Sequence, residues 1–116
     1  MIQTRVLVCD VPTAEDTIFT LRSESSYMRV FYFENLTDST LNFQLEYSAD
    51  GGNSWSDLDS SFSLGPVGSG EEVEAVTVTN SNILRCRASG GGSDRDVMVS
   101  IVEYELRPAD SQPTLF

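Results

Sequence analysis

Between Leu41 and Trp55 the chain alternates and then turns, and this stretch restricts the fold more than any other. Leu41, Phe43, Leu45 and Tyr47 take every second position, with Asn42, Gln44 and Glu46 between them. That period sets one face of a strand against a core and the other against water. The next residues, Ser48-Ala49-Asp50-Gly51-Gly52-Asn53-Ser54-Trp55, each suit a tight turn. An Asp side chain bonds the backbone two residues ahead, adjacent glycines tolerate positive φ, and a Trp can fold back over the hairpin. Ser48, Asp50, Gly52 and Trp55 are therefore read as structural turn residues, with a returning antiparallel strand beginning at Trp55.

The rest of the chain reads the same way. Thr17 to Arg22 and Tyr27 to Asn35 form strand-like runs separated by Ser23-Glu24-Ser25-Ser26. Val30-Phe31-Tyr32-Phe33 is apolar on both faces, as in a central strand or an assembly contact. Phe62 and Leu64 precede the loop Gly65 to Gly70, Glu71 to Thr79 resumes a Val/Thr-rich strand, and Asn80-Ser81-Asn82 turns into Ile83 to Ala88. Ser89 to Asp94 reads as a flexible glycine-rich loop leading into Val97 to Leu106. With Arg5 to Cys9 at the start, the reading is all-β: an antiparallel β-sandwich of about seven to eight strands. It is immunoglobulin or fibronectin-like in the first instance, with a jelly roll as the alternative. Residues 1–106 are expected to form a single sandwich domain and 107–116, with two prolines and an apolar end at Leu115 and Phe116, an extended arm.

Composition narrows the chemistry. The 116 residues carry 18 acidic and 7 basic side chains for a net charge of −11, and every basic residue is Arg, with no Lys or His. The usual general base, zinc ligand, Schiff-base amine and phosphate-cradling ammonium are thus missing. So negative a surface repels polyanions, which argues against nucleic acid as a partner. The apolar run from Val6 to Cys9 is too short for a signal-peptide core, and no segment approaches a membrane span, so no membrane partner is expected. Cys9 and Cys86 are read as buried free thiols in a reducing compartment, with an inter-sheet disulfide the open alternative.

No catalytic constellation emerges. Neither Ser nor Cys has a His to activate it, and no Gly-x-Ser-x-Gly elbow occurs. Acidic groups at Asp57/Asp59, Glu71/Glu72/Glu74 and Asp94/Asp96 could offer oxygen ligands to Ca²⁺, but none has the EF-hand spacing. The expectation is no metal and no cofactor. Asn35-Leu36-Thr37 matches a glycosylation sequon, read as incidental without a secretory signal.

The turn Ser48 to Trp55 resembles the Asp-box of sialidase propellers and of many single β-sandwich modules; one copy marks a turn, not sialidase activity. Together with Val30-Phe31-Tyr32-Phe33-Glu34-Asn35-Leu36-Thr37, Phe62-Ser63-Leu64-Gly65-Pro66 and Ile83-Leu84-Arg85-Cys86-Arg87-Ala88-Ser89-Gly90, it makes Tyr27 to Leu106 resemble small Ig-like β-sandwich proteins of tailed bacteriophage particles. That resemblance implies a non-enzymatic virion component made in the host cytoplasm. A capsid decoration (cement) protein comes first, with a tail or baseplate component or a carbohydrate or host-surface binding module as the alternative. The implied partners are the major capsid protein and further copies of the chain, in a homotrimer by expectation. Ile2, Phe31, Phe33, Leu115 and Phe116 are the expected assembly contacts, chosen because apolar side chains at termini and on a doubly apolar strand are suited to docking.

Overall fold

A computed structural model describes residues 2–22, 27–80 and 83–105. The described residues form eight strands: β1 (Ile2–Cys9), β2 (Asp16–Leu21), β3 (Tyr27–Asn35), β4 (Leu41–Ser48), β5 (Ser56–Leu64), β6 (Val73–Asn80), β7 (Ile83–Ser89) and β8 (Val97–Glu105). They form two four-stranded antiparallel sheets, ordered β1-β8-β3-β6 and β2-β7-β4-β5. The protein is an all-β sandwich, and no helix occurs among the described residues.

First pairs with last throughout: β1 with β8, β2 with β7, β3 with β6 and β4 with β5. The chain behaves as one long hairpin, closed at the β4–β5 turn and wrapped so that alternate strand pairs fall in opposite sheets. This is the double Greek key of a jelly roll, not the immunoglobulin or fibronectin-like arrangement ranked ahead of it from sequence. An immunoglobulin sandwich would not place the first strand beside the last and the third beside the sixth.

Alternation decides what is buried. On β3, Arg29, Phe31, Phe33 and Asn35 point inward and Val30, Tyr32 and Glu34 outward. Phe31 and Phe33 are fully buried. The Phe33 ring lies 5.2 Å from those of both Phe43 and Phe62, which themselves stack at 5.2 Å, so one aromatic cluster ties the two sheets together. Leu41, Leu45, Leu64, Leu84, Val97, Val99 and Ile101 fill the remaining interior. Cys9 on one sheet and Cys86 on the other are both buried free thiols. Burial, with Asp10 adding to it, pushes the Cys9 thiol up from its ordinary value, and burial raises Cys86 still further, assisted by Cys9 and Glu46.

Each end of the sandwich is closed differently. At one end the connections 10–15, 36–40, 65–72 and 90–96 meet and share backbone bonds, among them Leu36 N–H to Asp96 O, Asn35 N–H to Glu72 O, Val67 N–H to Thr37 O and Ser93 N–H to Val11 O, each 2.9 Å. Two buried polar side chains anchor these loops. Asn35 donates from Nδ2 to the carbonyls of Ser39 and Gly65 at 2.7 and 2.9 Å, and its Oδ1 accepts from the Thr37 amide and hydroxyl, both at 2.8 Å. The sequon Asn is thus a core residue committed to its own turn. Asp96 accepts from the Val11 amide at 2.9 Å and the Asp94 amide at 3.1 Å. At the opposite end lies the turn 49–55. There Arg29, 1% exposed, bonds through Nε to Glu103 Oε2 at 2.8 Å, and Arg5 reaches the other carboxylate oxygen at 3.1 Å.

Candidate functional site

The turn from Ser48 to Trp55 is built by its side chains. Ser48 Oγ donates to Asp50 Oδ1 at 2.7 Å and accepts from the Gly52 amide at 2.8 Å. Asp50 then accepts from the Ser54 amide and hydroxyl at 2.9 and 2.5 Å. These bonds, the Ser54 and Ser48 hydroxyls foremost, lower the Asp50 carboxyl to about 2. Gly51 and Gly52 sit at φ of 78° and 99°, the left-handed region glycine tolerates best. The Trp55 ring packs over Gly52 and lies beneath the Arg85 guanidinium, 4.2 Å from the ring centroid. Arg85 also bonds Glu46 at 2.6 Å. One face of the indole is therefore already occupied by a cation. Every polar atom of the motif that the turn engages is used to shape the hairpin.

Of the acidic residues considered for calcium, Asp96 and Glu72 hold loop amides. The Asp96 carboxylate is pushed up by burial but pulled down by the amides of Val11, Asp94, Gly92 and Ser93, which prevail and hold it below its ordinary range. Glu72 accepts from the Gly70 amide at 2.8 Å. Asp59 lies in a bulge of β5 at φ 59°, where Phe62 and Leu58 pair with Phe43 and Leu45 and leave an excess on the β5 side. Among the described residues no three His, Cys, Asp or Glu side chains converge.

A groove of about 450 Å³ opens between the edge strands β5 and β6, floored by Leu45, Leu58, Phe62 and Val76 and rimmed by Asp59, Ser60, Ser61, Glu74 and Thr77. Its two carboxylates, Asp59 and Glu74, belong to exposed side chains at the rim.

The outer faces of the two sheets differ sharply. On the β2-β7-β4-β5 sheet the outward side chains include Asn42, Gln44, Glu46, Asp57, Arg85 and Arg87, with ion pairs Arg85–Glu46 at 2.6 Å and Arg87–Glu15 at 2.9 Å. On the β1-β8-β3-β6 sheet, registry aligns four rows: Ile2–Tyr104–Met28–Thr79, Thr4–Val102–Val30–Thr77, Val6–Ser100–Tyr32–Ala75 and Val8–Met98–Glu34–Val73. Glu34, in the last row, is the single charge among these positions. Ile2, Val6, Val8, Tyr32 and Val73 are exposed there, at 65, 56, 38, 44 and 56%. A chain of net charge −11 thus keeps one whole sheet face almost uncharged.

The expected assembly contacts divide accordingly. Ile2 lies on this face. Phe31 and Phe33 do not: strand alternation turns them into the core, and their outward neighbours Val30 and Tyr32 take the surface positions. Leu115 and Phe116, with the arm 107–116, lie outside the described residues. Sequence reasoning missed Val6, Val8, Val73 and Val102. The available signal was that Val6-Leu7-Val8 and Val97-Met98-Val99 are apolar at consecutive positions, as strands are when both faces avoid water. Comparison with family models, with characterised proteins and with solved structures finds no match.

Proposed function

We propose that the protein is a non-enzymatic structural component that works by assembly, as a capsid decoration protein of a tailed-phage particle. One observation carries the assembly reading: the uncharged outer face of the β1-β8-β3-β6 sheet, on a chain whose other sheet bears the ion pairs Arg85–Glu46 and Arg87–Glu15 on its outer face. A nearly uncharged sheet face that exposes Ile2, Val6, Val8, Tyr32 and Val73 together supports an interaction site. The jelly roll is a fold used by viral capsid proteins and by lectins alike; that is an analogy of fold, and function rests on the surface. The virion assignment adds the resemblance in Val30 to Thr37, the Asp-box-like turn and Ile83 to Gly90. A tail or baseplate location keeps the same physical basis.

The carbohydrate-binding reading draws on the β5–β6 groove, which has an apolar floor and hydroxyl-bearing rim. Trp55, the strongest stacking candidate in the sequence, lies under Arg85 instead, which favours assembly over glycan recognition. The test is protein composition of purified particles from the phage that carries this chain, followed by rebinding of the purified chain to heads stripped of it. Many copies per head and saturable rebinding are expected. Recovery in tails alone would move the protein to the alternative location, and absence from particles would refute the virion reading.

A further inference from the structure

We infer that the uncharged sheet face is covered by a second copy of this chain, packed face to face through the four rows from Ile2 to Val73. The inference rests on the assembly reading and names its partner. Charge argues for like meeting like. The chain holds no Lys, and all its Arg residues with described surroundings lie off this face, so neither an anionic lipid surface nor an acidic partner finds a cation here. A basic partner would be drawn to the carboxylates elsewhere, because this face offers it Glu34 alone. Two copies of a −11 chain repel each other least when they meet where the charge is sparsest.

Shape and area agree with that choice. Two sheets stack through their outward side chains at about 10 Å, and rows rich in Val and Thr, with Tyr104 and Tyr32 as the two tyrosines, present the relief such stacking needs. Four strands at about 4.8 Å spacing and four rows at about 6.8 Å give roughly 500 Å² in plan. With the relief of the side chains, two copies bury on the order of 1,200 Å² of accessible surface, at the lower end for a specific interface. Interfaces of that size include weak, reversible ones, so the association is to be sought across micromolar concentrations. The contact is isologous and closes at two copies, in place of the trimer expected from sequence. A twofold axis lying between the faces and parallel to the strands sets β3 against β8, so Glu34 at the end row meets Met98 of the second copy and stays at the wet rim.

The experiment is the mass of the full chain in solution by light scattering and sedimentation equilibrium across micromolar concentrations. The wild-type chain should show twice its 12.8 kDa mass. Tyr32→Glu, on a central strand where edge-to-edge strand pairing is impossible, should raise the dissociation constant by at least about 100-fold, since a carboxylate would be buried twice per dimer without a partner. Val6→Glu, at an exposed edge position, should act likewise, and Thr20→Glu on the opposite sheet should leave the dimer intact. Circular dichroism checks that each variant is folded, and the wild-type mass needs no variant at all. A wild-type chain that remains monomeric at about 100 μM, a trimer, or a folded Tyr32→Glu that keeps the dimer mass would each overturn the inference. Rebinding to stripped heads is scored separately. A monomer that still rebinds sinks the dimer and spares the structural role, whereas a dimer that never enters particles upholds the dimer and sinks the virion role.

Discussion

Asp96→Ala should cost the fold about 3 to 4 kcal/mol, and the reason is the number of amides that depend on one carboxylate. Asp96 is 4% exposed, and its Oδ2 accepts from the amide of Val11, itself fully buried, at 2.9 Å and from that of Asp94 at 3.1 Å. A hydrogen bond to a charged acceptor contributes about 1.5 to 3 kcal/mol, and a buried amide left without an acceptor costs about 1 to 3. Ser93 is protected from the full loss because its amide also bonds the Val11 carbonyl at 2.9 Å, which keeps the total below the sum of its parts. Asp96→Asn retains one acceptor oxygen and should lose about 2 kcal/mol. Urea unfolding with an unchanged slope is the assay. The pH dependence supplies a second reading. Because the folded Asp96 carboxyl lies below its ordinary value, its stabilisation is present above the unfolded value, about 3.9, and is lost as pH falls through the folded one. The difference between wild type and Asp96→Asn should therefore shrink as acid is added below about pH 4. A loss under about 1 kcal/mol, or a difference independent of pH, would refute the assignment of Asp96 as the anchor between the 10–13 and 90–96 segments.

Local pattern revealed the strands, and nonlocal pairing hid the topology. Leu41, Phe43, Leu45 and Tyr47 on β4 were legible because that sheet has one dry and one charged face, the condition under which period-2 alternation is clean. The sequence pattern starts β6 at Glu71, whereas the strand begins at Val73: Glu72 belongs to the loop, where its carboxylate accepts from the Gly70 amide. Strand β5 was only partly legible: the excess residues between Leu58 and Phe62 break the period, and Gln44 fills the gap by donating to the Asp59 carbonyl at 3.2 Å. Nothing local says that β1 lies beside β8, since a strand's neighbour is chosen by packing and closure. The same limit explains Phe31 and Phe33. A run apolar on both faces shows that both are dry or covered, but not which alternate set points to the core. The turn residues Ser48, Asp50 and Gly52 were readable because their chemistry is local, whereas the uncharged face exists only once four strands are in register.

Two further outcomes separate local from long-range stabilisation. Ser48→Ala should lose about 1 to 2 kcal/mol in urea unfolding, since Oγ both accepts from Gly52 and donates to Asp50; with Asp50 lowered to about 2, the acid part of this turn's contribution is complete above about pH 4 and lost only toward pH 2, and a wild-type level of stability would show the bonds to be incidental. The last concerns Arg29 and Glu103, both almost fully buried. Glu103→Ala should cost about 3 to 5 kcal/mol because it leaves a guanidinium in the core without its carboxylate, while Arg5→Ala, half-exposed at the same carboxylate, should cost at most about 1. Replacing the pair together, Arg29→Met with Glu103→Leu, removes both desolvation costs and should restore most of the loss. If the pair is there for specificity, its value is register: Arg29 sits opposite Glu103 on β8 and Val78 on β6, and a slip of one residue would turn its charge onto the uncharged face and draw Val30 inward. The double variant should then remain stable while its amide exchange in β3 and β8 becomes heterogeneous. Uniform exchange, with stability as low as in Glu103→Ala, would show instead that the ion pair itself holds the sheet.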